Sequence, residues 1–188
     1  GVAASKVIRP VIGVPCEGNY QGLDALLSVA QMPPGIPVLA VGVNKGKIAA
    51  ENCAKMMKNY NGVTIIGDKN NEAVKKSTDI LKRFGVAYSF SNKPNKNTLN
   101  IEFTYFDEPV DEKDELVIYC PLLDKKDDAA ESALNFLKHT SHGLWVGVNN
   151  GVNAAVAAVE ILNFDNEFEE ELIRYREEIG KKVLDANK

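Results

Sequence analysis

The 188-residue sequence is poor in the side chains that usually announce a chemistry. It holds three cysteines (Cys16, Cys53, Cys120), two histidines (His139, His142) and one tryptophan, Trp145. An odd cysteine count without C-x-x-C gives no basis for a disulfide framework or a structural zinc site, and it suits a reducing cytoplasm. There is no G-x-x-x-x-G-K-[ST] loop and no G-x-G-x-x-G fingerprint, which removes the common nucleotide-binding motifs. Apolar runs are strand-sized, far below the roughly 20 residues that cross a bilayer, so no membrane partner is expected, and no signal peptide is visible. Net charge is −4 with lysines and arginines interspersed among acids, so nothing argues for a nucleic-acid partner. Residue 1 is Gly and not Met, as a tag scar, a cleavage point or a truncation would leave it.

What is present is an alternation of short apolar runs and helical periodicities. Val11–Val14, Pro37–Val43, Val63–Ile66, Val86–Phe90, Leu116–Cys120 and Leu144–Val148 read as strands. Leu23, Leu26, Leu27 and Ala30 mark a first helix, stopped by Pro33-Pro34-Gly35. Further helices are predicted over 46–58, over a segment carrying Ala73, Val74, Ser77, Ile80, Leu81 and Phe84, over 127–139 with Ala130, Ala133, Leu134 and Leu137 inward, and over 152–162. Residues 99–106 read as an extended edge segment, and DEPVDEKDE after them as a solvated acidic loop. The tail places Phe164, Phe168, Leu172, Tyr175, Ile179 and Val183 on one stripe, with Glu170–Arg174, Glu177–Lys181 and Glu178–Lys182 spaced for i to i+4 pairing on another face. That stripe packs on its own domain or meets another subunit. Buried strands alternating with amphipathic helices predict a three-layer α/β fold with a parallel, flavodoxin-like sheet and a long C-terminal helix.

One segment occurs twice. VGVNKGKIAA (41–50) and VGVNNGVNAA (146–155) share seven of ten residues, each where a strand runs into an Ala-rich helix. Convergence on good βα-turn chemistry or an internal duplication would both produce this.

The stretch RPVIGVP…GLDALLSVAQMPPGIPVLAVGV resembles the C-terminal half of the PurE family of purine biosynthesis. The family's PVIGVP strand, GLDSLLS-type helix, QMP-x-G stop and following strand stand here as Pro10–Pro15, Gly22–Ser28, Gln31–Gly35 and Pro37–Val43. Leu172, Tyr175 and Arg176 look like the core of the family's last helix. A second stretch, VTIIGDKNNEAVKKSTDILKRFGVAYSF, is similar to the family's first strand, phosphate loop and first helix. It departs where chemistry would sit. Gly67-Asp68-Lys69-Asn70-Asn71 replaces G-S-x-S-D, Ser91-Asn92-Lys93-Pro94 replaces S-A-H-R-T-P, and Pro121–Asp124 replaces the A-A-H-L-P-G loop. The resemblance implies residues 1–60 as the C-terminal half of a first repeat and 63–188 as a second, degenerate one.

It also implies carboxyl transfer on aminoimidazole ribonucleotide, by a carboxylase or by an N5-carboxyaminoimidazole ribonucleotide mutase. The family uses a His as acid and base, with Ser, Asp and Arg groups holding the ribose phosphate, and no metal or organic cofactor. Members are commonly octamers, so tandem chains would form a similar homo-oligomeric ring from four copies.

On this reading Asn19, Tyr20, Gly22 and Asp24 contact a small-molecule ribonucleotide, with Gly67, Asp68, Asn71 and Ser91 as the second repeat's binding positions. No catalytic residue is assigned within the chain, which is expected to be inactive alone. A plain βα connection explains the 16–22 loop equally well, with Asp24 placed to suit the helix dipole. His139 reads as a helix-terminal residue rather than a catalyst. Cys16 and Cys120 flank prolines at strand ends with no base partner in evidence, so packing is preferred. A non-catalytic scaffold that inherited the fold, and a phosphate-binding domain using Gly67–Asn71, remain as rivals. Whether the first repeat's two strands join the second repeat's sheet is open at this level.

Overall fold

The alternating strands and helices assemble around one seven-stranded sheet in a computed structural model, which describes residues 1–106, 108, 110–123, 128, 131, 134–136, 139, 140 and 142–186. The strands are β1 (Ile12–Gly13), β2 (Leu39–Ala40), β3 (Val63–Ile66), β4 (Tyr88–Phe90), β5 (Leu99–Tyr105), β6 (Val117–Leu122) and β7 (Leu144–Trp145). The helices are α1 (Val2–Lys6), α2 (Leu23–Ala30), α3 (Gly46–Met56), α4 (Glu72–Arg83), α5 (Gly151–Leu162) and α6 (Glu169–Ala186). Strand order is β1-β2-β7-β6-β5-β3-β4. Every neighbouring pair is parallel except β2 and β7, where Ala40 meets Trp145 antiparallel. The two early strands therefore join the later sheet, and they run against it.

Alternation along the strands sends side chains to two apolar layers. Leu39, Val41, Ile65, Ile101, Ile118 and Cys120 share one layer with α3, α4, α5 and α6. Ala40, Val117, Tyr119 and Trp145 share the other with Leu26 and Ala30 of α2 and with Phe136. Helices thus cover both faces, as the predicted α/β class requires. The tail packs on its own domain. Leu172 and Tyr175 are buried, Tyr175 meets Phe84 edge-on at 5.4 Å, and the Arg83 guanidinium lies 4.7 Å above the Tyr175 ring.

Three expectations are corrected. Residues 99–105 are interior, between β3 and β6, and β4 holds the edge instead. Asn100 and Thr104 give the segment an exposed look in sequence, yet both are buried. The Asn100 amide donates to the carbonyls of Asn95, Thr98 and Leu116, so its polarity is satisfied inside. Leu134, expected inward, is half exposed, and Phe136 fills the core; Ala130, Ala133 and Leu137 lie outside the described residues. Glu178, expected to pair with Lys182, accepts from Arg83 of α4 at 2.7 Å.

The twice-occurring segment makes the same backbone bonds in both places. Asn44 and Asn149 both sit in the left-handed region, with φ of 60° and 54°. The Asn44 N–H donates to Pro15 O and the Asn149 N–H to Pro121 O, each at 2.8 Å. Their Oδ1 atoms accept from the N–H of Glu17 (3.0 Å) and Leu123 (3.1 Å). Lys45 N–H to Gly42 O and Asn150 N–H to Gly147 O both measure 3.1 Å. The glycines of the two copies face each other's units. A Cβ on Gly42 would lie 2.5 Å from Thr140 O, and one on Gly147 would lie 2.3 Å from Ala30 O.

Pro33-Pro34-Gly35 is the seam between early and late elements. The Asn153 amide donates to Met32 O and Pro33 O, and its Oδ1 accepts from Gly35 N–H at 2.7 Å. Arg176 donates to Gly35 O and to Glu160 Oε1.

Candidate functional site

Parallel strands place ligand-binding loops at their carboxyl ends. The antiparallel step between β2 and β7 gives this sheet two such edges, on opposite sides. The eight sequence-derived candidates divide between them. Asn19, Tyr20, Gly22 and Asp24 follow β1 at the first edge. Gly67, Asp68 and Asn71 follow β3 and Ser91 follows β4 at the second. These two groups cannot line a common pocket within one chain.

At the first edge the loop is pinned at its base and projects at its tip. Glu17 and Asn44 bind each other twice, through Glu17 N–H to Asn44 Oδ1 at 3.0 Å and Asn44 Nδ2 to Glu17 Oε2 at 3.1 Å. Gly22 is seated so closely that a Cβ would lie 2.6 Å from Val43 Cγ1 and 3.1 Å from Cys16 O. Between these anchors the chain takes three consecutive left-handed residues, Tyr20 (φ 59°), Gln21 (φ 56°) and Gly22 (φ 80°). Glycine adopts this conformation freely, whereas Tyr and Gln do so at a cost of about 1–2 kcal/mol each. Unfavourable backbone held by its surroundings concentrates at binding loops. Tyr20 projects outward, 82% exposed. Asp24 is exposed in the first turn of α2, which has no side-chain cap. The tip therefore offers a phenol and a carboxylate at the start of α2, where the Leu23 N–H donates to Tyr20 O.

The second edge is engaged with itself. Asp68 Oδ1 accepts from Asn70 N–H at 2.9 Å, and Asn71 Oδ1 accepts from Ala73 N–H at 2.8 Å as the cap of α4. The Ser91 hydroxyl donates to Lys93 O at 2.8 Å. Gly67 lies against Phe103, 3.0 Å from the position of a Cβ. These bonds shape turns and leave those side chains directed at their own backbone.

Of the histidines, His139 contacts Phe106 O through Nε2 at 2.8 Å, and the Trp145 indole donates to His142 O at 2.7 Å. Cys120 is fully buried, and burial raises its thiol pKa. No group of three His, Cys, Asp or Glu among the described residues could hold a metal ion. No helix among them is long and apolar enough to cross a membrane. Sequence reasoning missed the Glu17–Asn44 clamp and the Glu160–Arg176 pair. The first had a signal, since Asn before Lys-Gly at a strand end favours a left-handed turn. The second joins distant segments and had none.

The pinned loop, the α2 start behind it and the Asn44 turn all fall inside one stretch that is shared with known proteins. Residues 1–65 match the AIR carboxylase family. The chain is 48% identical over 71 residues to the N5-carboxyaminoimidazole ribonucleotide mutase of Methanocaldococcus jannaschii, covering 32% of this chain and 45% of that protein. It is 55% identical over 51 residues to the mutase of Pyrococcus abyssi, 27% of this chain and 29% of that protein. Similarity to the chloroplastic phosphoribosylaminoimidazole carboxylase of Vigna aconitifolia is 34% over 97 residues, 45% of this chain and 16% of that protein. The chain thus spans less than half the length of these curated relatives.

Proposed function

We propose that this chain is part of a purine-biosynthesis enzyme that transfers a carboxyl group on aminoimidazole ribonucleotide, and that the loop after β1 grips the ribonucleotide. The observation that carries the reading is the AIR carboxylase match lying across a loop that is clamped at both ends and strained at its tip. Tyr20, Asp24 and the backbone at Asn19 and Gly22 supply donors and acceptors for a ribose and its phosphate.

Residues 1–60 and 63–188 are read as two related units. The matched hydrogen bonds at Asn44 and Asn149 support that division. A cytoplasmic homo-oligomer is the expected setting, and three unpaired thiols suit that compartment.

The test is a pair of assays on the chain expressed with any coding sequence that precedes Gly1. One follows uptake of labelled bicarbonate into aminoimidazole ribonucleotide; the other follows rearrangement of the N5-carboxylated nucleotide. Activity in either one, with KM raised at least tenfold by Asp24→Asn and unchanged by Asp68→Asn, supports the reading and says which reaction is run. No turnover in both, or equal effects of the two substitutions, overturns it.

A further inference from the structure

The two copies of the repeated segment make the same turn, and one of them carries an extra arm. The bonds at Asn44 and Asn149 set Pro15 against Pro121 and Glu17 against Leu123. In both copies the asparagine Oδ1 accepts from the N–H two residues beyond the proline. At Glu17 the side chain then returns a second bond, its Oε2 accepting from Asn44 Nδ2 at 3.1 Å. Leu123 has an aliphatic side chain in that place, with no acceptor to offer. A carboxylate acceptor makes the stronger kind of hydrogen bond. The arm therefore belongs to the copy inside the AIR carboxylase match, and the copy outside that match lacks it.

The arm is attached where the strained loop is seated. Glu17 follows Cys16, and Asn44 follows Val43. Cys16 O and Val43 Cγ1 are the atoms against which Gly22 rests, 3.1 and 2.6 Å from the position of a Cβ. The clamp thus ties together the two chain segments that form the Gly22 seat. Between clamp and seat stand only Gly18, Asn19, Tyr20 and Gln21. Gly18 O accepts from Gln21 N–H at 3.2 Å and Tyr20 O accepts from Leu23 N–H, so this short span folds back on itself. Left-handed backbone at Tyr20 and Gln21 is unfavourable, and it persists only where the surroundings over-determine it. With four residues between two fixed ends, releasing one end gives the run room to relax.

We propose that Glu17 and Asn44 are positioning residues for the ribonucleotide: their clamp holds residues 20–22 left-handed and so sets the Tyr20 phenol and the Asp24 carboxylate for the ligand. The pair acts through the loop and not by touching the ligand. The turn at Asn149 stands with Leu123 in place of the arm, so the arm is not needed to fold such a turn, and its bond acts on the loop that follows. The inference rests on the reading of this edge as the ribonucleotide site.

Three substitutions test this, each made in the protein that is assayed for carboxyl transfer. Glu17→Leu copies the second unit and removes the arm. Glu17→Gln keeps an acceptor for Asn44 Nδ2. Asn44→Asp keeps the tolerance of a left-handed backbone and the acceptor for Glu17 N–H, but sets two carboxylates against each other. Amide hydrogen exchange is followed over residues 16–24, and equilibrium binding is measured with aminoimidazole ribonucleotide. Glu17→Leu and Asn44→Asp should speed exchange of the Gln21 and Leu23 amides at least tenfold and raise the dissociation constant at least fivefold. The urea midpoint should not move, and Glu17→Gln should stay within twofold of the parent in both measurements. Unchanged exchange in Glu17→Leu, or a Glu17→Gln protein that behaves like Glu17→Leu, would overturn the proposal. So would faster exchange with unaltered affinity in a protein whose parent binds. A parent that binds no ribonucleotide, yet shows this exchange pattern, would overturn the functional reading and the positioning role that rests on it, while retaining the clamp as the anchor of the loop.

Discussion

Alanine at Gly46 and at Gly151 should change stability in opposite directions, although both glycines open equivalent helices. At Gly151 the new methyl would sit 1.9 Å from Ala73 O, 2.7 Å from its carbonyl carbon and 3.3 Å from its Cα. All three are backbone atoms, so no side-chain rotation relieves the clash. Ordinary contact requires α4 and α5 to separate by roughly 1.5 Å. Separation opens gaps along a tightly packed helix pair, and overpacking of this kind costs about 1–3 kcal/mol or more. At Gly46 the methyl enters solvent, and replacing a helical glycine gains up to about 0.5–1 kcal/mol. The gain tends to the low end in a first turn.

Urea unfolding of the two variants beside the parent chain measures both effects, and thermal midpoints should move by about 2–4 °C per kcal/mol in a chain of this size. The expected outcome is a lowered midpoint for Gly151→Ala and an equal or raised one for Gly46→Ala, with unchanged slopes. Equal losses at both sites would refute the asymmetry between the two helices. A neutral Gly151→Ala would refute the close approach of α4.

Two further outcomes follow from particular side chains. Burial pushes the Glu160 carboxyl up to about 8 against the opposing pull of Arg176; the folded chain then keeps a proton there that the unfolded chain releases near 4.5. The associated stability is complete below the unfolded value and is lost as pH rises through 8, with a slope of at most about 1.4 kcal/mol per pH unit. Glu160→Gln should flatten the pH dependence of the urea midpoint between pH 5 and 9, and identical slopes in both proteins would contradict the assignment. At the strained loop tip, Gln21→Gly should stabilise slightly while Gln21→Val, which resists a left-handed backbone, should destabilise. A difference of at least about 1 kcal/mol between the two in urea unfolding is expected, and none would mean that residue 21 is not left-handed in solution.

Much of the architecture was written locally. Strand 63–66 and the helices after it carry their own periodicity, and Pro33-Pro34-Gly35 stops α2 wherever the chain then goes. The Asn44 and Asn149 turns are equally local, since a short polar side chain tolerates the left-handed region. The stretch that matches AIR carboxylase was legible as a motif for the same reason: its strand, loop and helix are contiguous. Other features depend on residues far apart in sequence. Asn100 and Thr104 look like surface positions until partners from other segments satisfy them inside. Glu160 and Arg176 become a buried pair only when α6 folds back on α5. The antiparallel meeting of Ala40 and Trp145 decides the most consequential point. Strand direction within a sheet is set by long-range pairing and not by local pattern, and that one reversal puts the two families of candidate residues on opposite edges. The sequence by itself determined the elements and the conformation of their turns, because those are governed by nearest-neighbour sterics and periodic burial. Only the tertiary structure decided which loops share an edge, which helix is covered and which is bare.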